Sequence, residues 1–65
     1  MKLEKGMIIR NKESIGRHKE GFLFKVVNVG GNLAFAVNLK DKNDKMVLYR
    51  YSELVEEIGK GGFYV

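Results

Sequence analysis

FLFKVVNVGGNLAFAVNLK, residues 22–40, is the stretch on which the fold turns. Between Phe22 and Val29, Phe22, Phe24 and Val26 fall on one side of an extended chain. Leu23, Val27 and Val29 fall on the other, with Lys25 interrupting that row. Strand side chains alternate between faces, so a run apolar on both sides reads as a strand near the centre of a sheet or bent across a barrel. Gly30-Gly31-Asn32 then supplies backbone that reaches positive φ at little steric cost, as tight hairpin turns require. Leu33, Phe35, Val37 and Leu39 next alternate with Ala34, Ala36, Asn38 and Lys40, the period of a half-buried strand. The two halves are expected to pair as a β-hairpin.

Outward from the hairpin, Met7-Ile8-Ile9 reads as a short first strand, and Asn11 to Gly21 as a long exposed loop with Ile15 its one apolar anchor. Asp41 to Lys45 reads as a polar turn, and Met46 to Tyr51 as a third long strand with Val47, Tyr49 and Tyr51 on one face. Ser52 is suited to capping a helical turn and Glu53 to its first positions. Leu54 and Ile58 are four apart, on one side of such a turn, and Gly59, Gly61 and Gly62 end it. Phe63-Tyr64-Val65 is expected to pair with the first strand as a short closing strand. The expected fold is all-β: a small five-stranded SH3-like barrel with one short helical turn before the last strand, a single domain over residues 1–65. An OB-type barrel is the alternative, though it usually has a longer helix and longer strands. A closed sheet leaves few open edges.

Closure matters because a chain of 65 residues buries only about 60% of its unfolded surface. Cysteine is absent, which removes disulfides and thiolate zinc sites, and His18 alone cannot build a metal site. The remaining routes to stability are a well-packed closed fold, an oligomer, or both. The 45% apolar and 31% charged content suits a globular domain. No apolar run reaches the 18 or so residues of a membrane span, and residues 1–10 lack the pattern of a signal peptide. A cytoplasmic complete protein is the expectation, monomeric or weakly dimeric, without cofactor, metal, membrane or small-molecule substrate.

Catalysis is not expected. Ser14, His18, Glu13 and Glu20 share a loop, whereas reacting groups must be held to within about 0.5 Å. Glu56 and Glu57 are adjacent and point apart, and Gly30-Gly31 lacks the downstream Lys-Ser/Thr of a phosphate loop. The net charge of +4 is the stronger signal. Residues 2–25 hold seven cations against three acids, residues 40–50 four against two, and Glu53, Glu56 and Glu57 form an acidic patch. An anionic partner would meet Arg10, Lys12, Arg17, Lys19 and Lys25, flanked by Lys42, Lys45 and Arg50. Tyr49 and Tyr51, alternating around Arg50, could stack on bases as in single-strand binders. The expected partner is nucleic acid, DNA or RNA, or alternatively another protein.

Two resemblances bear on this reading. Gly6-Met7-Ile8-Ile9-Arg10, Gly16 and Lys19-Glu20-Gly21 before the Phe22–Val29 run resemble the KOW-type half of an SH3-like barrel, with Gly21 at the key glycine. His18 stands where a second glycine is common in that motif, and Phe22 and Phe24 are bulkier than usual. Tyr51-Ser52-Glu53-Leu54 through Lys60-Gly61-Gly62-Phe63-Tyr64-Val65 is similar to the small SH3-like proteins of Gram-positive phages and prophages, the YorP type. That similarity implies the fold and a mobile-element origin, and a mode of action in which a small barrel docks on a host protein. A proline-rich peptide groove is not expected without tryptophan.

Overall fold

The structure, a computed structural model, describes residues 1–60. Strands β1 (Met7–Asn11), β2 (Leu23–Gly30), β3 (Leu33–Asn38), β4 (Asp41–Tyr49) and β5 (Val55–Lys60) form one antiparallel sheet in the order β4-β3-β2-β1-β5. The expected β2–β3 hairpin is present. Its turn sets Gly31 at φ +58°, a conformation that L side chains rarely adopt.

Packing departs from simple alternation in β2. Phe24 and Val26 face the core, but the register shifts between Val26 and Asn28. The extra residue, Val27, is a bulge, and bulges reverse the phase of the side chains that follow. Val29 therefore turns back to pack against the core instead of sharing a face with Val27.

In β3 the alanines face inward. Ala34 sits between Val29 and Leu48, and Ala36 between Val26 and Met46, each a small residue flanked by two large ones. Protein interiors fill to crystal-like density, and Phe24, Ile9, Met46 and Leu48 already occupy this one. Leu33 and Phe35 are left on the outer face, 39% and 36% exposed.

β4 begins earlier than the sequence suggests. Asp41–Lys45 belongs to the strand rather than to a turn, and the reversal is made by Leu39 and Lys40. Asn38 explains the tightness: its Oδ1 accepts from the Lys40 N–H at 2.8 Å, and its Nδ2 donates to Asp44 Oδ2 at 2.9 Å. The register then jumps from Asn38 opposite Asp41 to Val37 opposite Lys45, so Lys42–Asp44 bulges out.

The expected helical turn before the last strand is absent, because Val55–Lys60 is extended and pairs with β1. Ser52 does accept a backbone N–H, that of Leu54 at 3.1 Å, but this bond makes a turn leading into a strand. The reason lies in β1. Ile8 and Ile9 are fully buried, and buried backbone groups must be paired. An extended segment pairs them, whereas a single helical turn, itself marginal, pairs none. The closing strand expected at Phe63–Val65 lies outside the described residues.

Two further segments complete the core. Leu3, fully buried, donates its N–H to the Arg50 carbonyl at 2.7 Å, and the Met1 carbonyl accepts from the Ser52 N–H at 2.9 Å, around a bridge between Lys2 and Tyr51. The long loop is pinned as well. Asn11 Nδ2 points to the His18 and Lys19 carbonyls, Ile15 and His18 bridge, and the His18 ring meets Phe24 edge-on at 5.5 Å. Among the described residues no helix is long and apolar enough to cross a membrane.

Candidate nucleic-acid interface

The outer face of β2–β3–β4 is built in rows by the register. Tyr49, Leu33 and Gly30 form one, Val47, Phe35 and Asn28 the next, and Lys45, Val37 and Lys25 the third. Neighbouring strands are about 4.8 Å apart, so the two lysines flank Val37 across roughly 10 Å. Tyr49 is 72% and Val47 57% exposed, which with Leu33 and Phe35 makes an apolar, partly aromatic surface edged by cations. A β-branched, aromatic composition is what a pleated surface prefers, so nothing local disfavours the strand although its large side chains face out.

Among the expected site residues, this face gathers Lys25, Lys45 and Tyr49. Neither lysine takes part in an ion pair among the described residues. Arg10 shares the outer side, one step along β1 from Lys25, but its charge is engaged: Nε and Nη2 both donate to Glu56 Oε2, at 2.8 and 2.6 Å. Arg50 is likewise held, its Nη2 by Glu4 Oε1 at 2.9 Å and its Nε by the Leu3 carbonyl at 3.2 Å. Both arginines act as clamps between segments distant in sequence.

The remaining basic residues lie elsewhere. Arg17, on the 12–22 loop, lines a polar depression with Asp41, Asn43 and Asp44, which sets its charge among carboxylates. Lys42 sits in the bulged start of β4, and Lys19 lies on the loop, its carbonyl accepting from the Phe22 N–H. Lys12 donates its N–H to the Leu54 carbonyl at 2.8 Å, and its side chain adds to the field on Glu53. The Glu53 carboxyl is held below the usual glutamate range, first by a hydrogen bond from the Met1 ammonium, then by that group's charge, and more weakly by Lys12.

Tyr51, 66% exposed, belongs to a second feature. A groove of about 490 Å³ runs beside β4, lined by Ile15, Leu33, Val47, Tyr49, Tyr51 and Leu54, with Ser52 and Glu53 as its polar lining. Phe35, Leu33, Val47 and Leu54 are read from the sequence as strand or turn residues, not as site residues. The one signal available was the Ala34/Ala36 alternation, which marks small residues without saying which face is crowded. Among the described residues no cluster of three or more acidic or imidazole ligands occurs. No family model, no curated protein and no solved structure matches the chain.

Proposed function

We propose that this protein is a small non-enzymatic binding module of the SH3-like barrel type whose outer sheet face takes single-stranded nucleic acid. The barrel reading is supported by the strand order β4-β3-β2-β1-β5 and by the bonds from Met1–Leu3 to Arg50–Ser52 beyond the end of β4. The observation that carries the functional reading is the outer face itself. Tyr49 and Phe35 are exposed beside Lys25 and Lys45, neither of which has an ion-pair partner among the described residues. Aromatic rings stack on unpaired bases at about 1–3 kcal/mol per base. Lysines neutralise phosphates and release counterions, which makes affinity salt-dependent. Duplex bases are already stacked, so a flat aromatic face suits single strands.

The test is fluorescence anisotropy with labelled single- and double-stranded DNA and RNA at about 50 and 200 mM salt. Single strands are expected to bind more tightly, with a log–log salt slope of about −0.7 per phosphate contacted. Absence of binding at the lower salt overturns the reading. A protein partner, as the similarity to phage barrels implies, is the second reading, and the apolar groove beside β4 favours it.

A further inference from the structure

β4 ends the sheet, and its hydrogen bonding leaves a specific row of backbone groups open. Asp41–Tyr49 pairs with β3 on one side, and no strand among the described residues lies on the other. The bond from the Arg50 N–H to the Asn32 carbonyl sets the phase of the β3–β4 ladder. In an antiparallel ladder alternate residues turn both backbone groups to the same side. Counting back from Arg50 through an unbroken register, Leu48 and Met46 address β3. Lys45, Val47 and Tyr49 therefore turn their N–H and C=O groups to the open edge, while their side chains stand on the outer face.

Proteins usually blunt such edges with charges, proline or bulges. The first half of β4 is blunted in this way, by Asp41, Lys42, Asp44 and the register jump before Lys45. From Lys45 to Tyr49 the register is regular, there is no proline, and Val47 and Tyr49 are among the most exposed apolar side chains described.

We infer that this edge pairs with the same edge of a second copy, antiparallel about a two-fold axis at Val47. A two-fold axis requires a surface that complements itself, and this segment does. Val47 meets Val47 of the second copy, and Lys45 meets its Tyr49, twice. Each of the three is an outward-facing residue, so all three positions form hydrogen-bonded pairs. The Lys45 ammonium, without an ion-pair partner among the described residues, is brought beside an exposed tyrosine ring, a cation–π contact. An unrelated extended peptide could use the backbone groups, whereas a second copy in this register supplies a ring for each lysine and a lysine for each ring. The groove beside β4 leaves room for the incoming strand. The pairing adds buried surface to a chain whose size leaves its stability marginal. It also continues the outer face across the axis instead of covering it. It shares Lys45 and Tyr49 with the nucleic-acid reading, but its test, the mass of the free chain, does not depend on that reading.

Sedimentation equilibrium of the full chain from about 5 µM to about 1 mM tests it, since contacts this small bind weakly. The expected result is a mass that rises from 7.4 kDa towards twice that value. Val47→Lys and Val47→Glu, at a side chain outside the core, are each expected to weaken association by about tenfold or more, because like charges then meet at the axis. Circular dichroism should show both variants folded. An equal mixture of the two is expected to associate again, because opposite charges meet. A wild-type mass that stays at 7.4 kDa throughout, variants that associate like wild type, or a mixture no better than either alone overturns the inference.

Discussion

His18 Nδ1 lies 2.8 Å from Asp44 Oδ1, tying the middle of the 12–22 loop to the first half of β4. The two atoms are close but not in line for a hydrogen bond, since the buried Nδ1 has no hydrogen-bond partner among the described residues. Asp44 is held from its other oxygen by Asn38, and the His18 ring rests edge-on against Phe24 in the core. One imidazole thus joins the loop, the β3–β4 reversal and the core. His18→Ala should destabilise by about 1–3 kcal/mol, and Asp44→Ala by about 1–2 kcal/mol. The double variant should cost less than the sum, since both remove the same contact. Urea denaturation of the three variants measures this; full additivity would show that the two residues act separately.

The inward alanines of β3 give a contrast that sequence alternation alone would reverse. Ala36→Leu forces a larger side chain between Val26 and Met46 and should cost about 1–3 kcal/mol. Phe35→Ser, on the opposite face, should cost less than about 1 kcal/mol. Thermal unfolding decides, because a domain of this size loses about 4–8 °C in Tm per kcal/mol. Equal losses at the two positions would place Phe35 in the core.

Glu53 titrates below the ordinary glutamate range because the Met1 ammonium donates to it. A carboxylate with a depressed folded-state pKa contributes stability above its unfolded pKa and loses it as pH falls through the folded value. The group is fully exposed, so the contribution is small and salt-sensitive. An NMR titration should place its midpoint below the ordinary glutamate range, and acetylating the N-terminus should move it upward. A midpoint unchanged by acetylation would contradict the assigned cause.

Binding should separate free cations from engaged ones. Lys25→Glu and Lys45→Glu are each expected to weaken single-strand binding and make its salt slope shallower by about 0.7. Tyr49→Ala should cost about 1–3 kcal/mol without changing that slope. Arg10→Gln should do little, because Glu56 already holds the guanidinium. Anisotropy at several salt concentrations reads all four, and an Arg10 effect as large as that of Lys25 would mean the interface lies towards β1 and β5.

Much of this architecture was legible in the residues. Period two and the Gly30-Gly31-Asn32 turn marked the central hairpin, and Met7–Ile9 marked the start of β1. Less of the candidate site could be read. Arg10 and Lys25 are equivalent in sequence, yet one meets a carboxylate 46 positions away and the other meets none among the described residues. His18 looked like part of a solvated loop, because the groups that hold it, Phe24 and Asp44, come from two different strands.

The sequence by itself determined that Met7–Ile9 and the two arms of the central hairpin run extended, and where that hairpin turns, since alternation and glycine act over a few neighbouring residues. Only the tertiary structure decided which face of β3 is inside, that residues 55–60 become a strand, and which cations meet a carboxylate among the described residues. The physical reason is that a period of two is symmetric between its faces. Choosing between them depends on the volume already filled by Phe24, Ile9, Met46 and Leu48, and on partners for β1 that exist only once distant segments have come together.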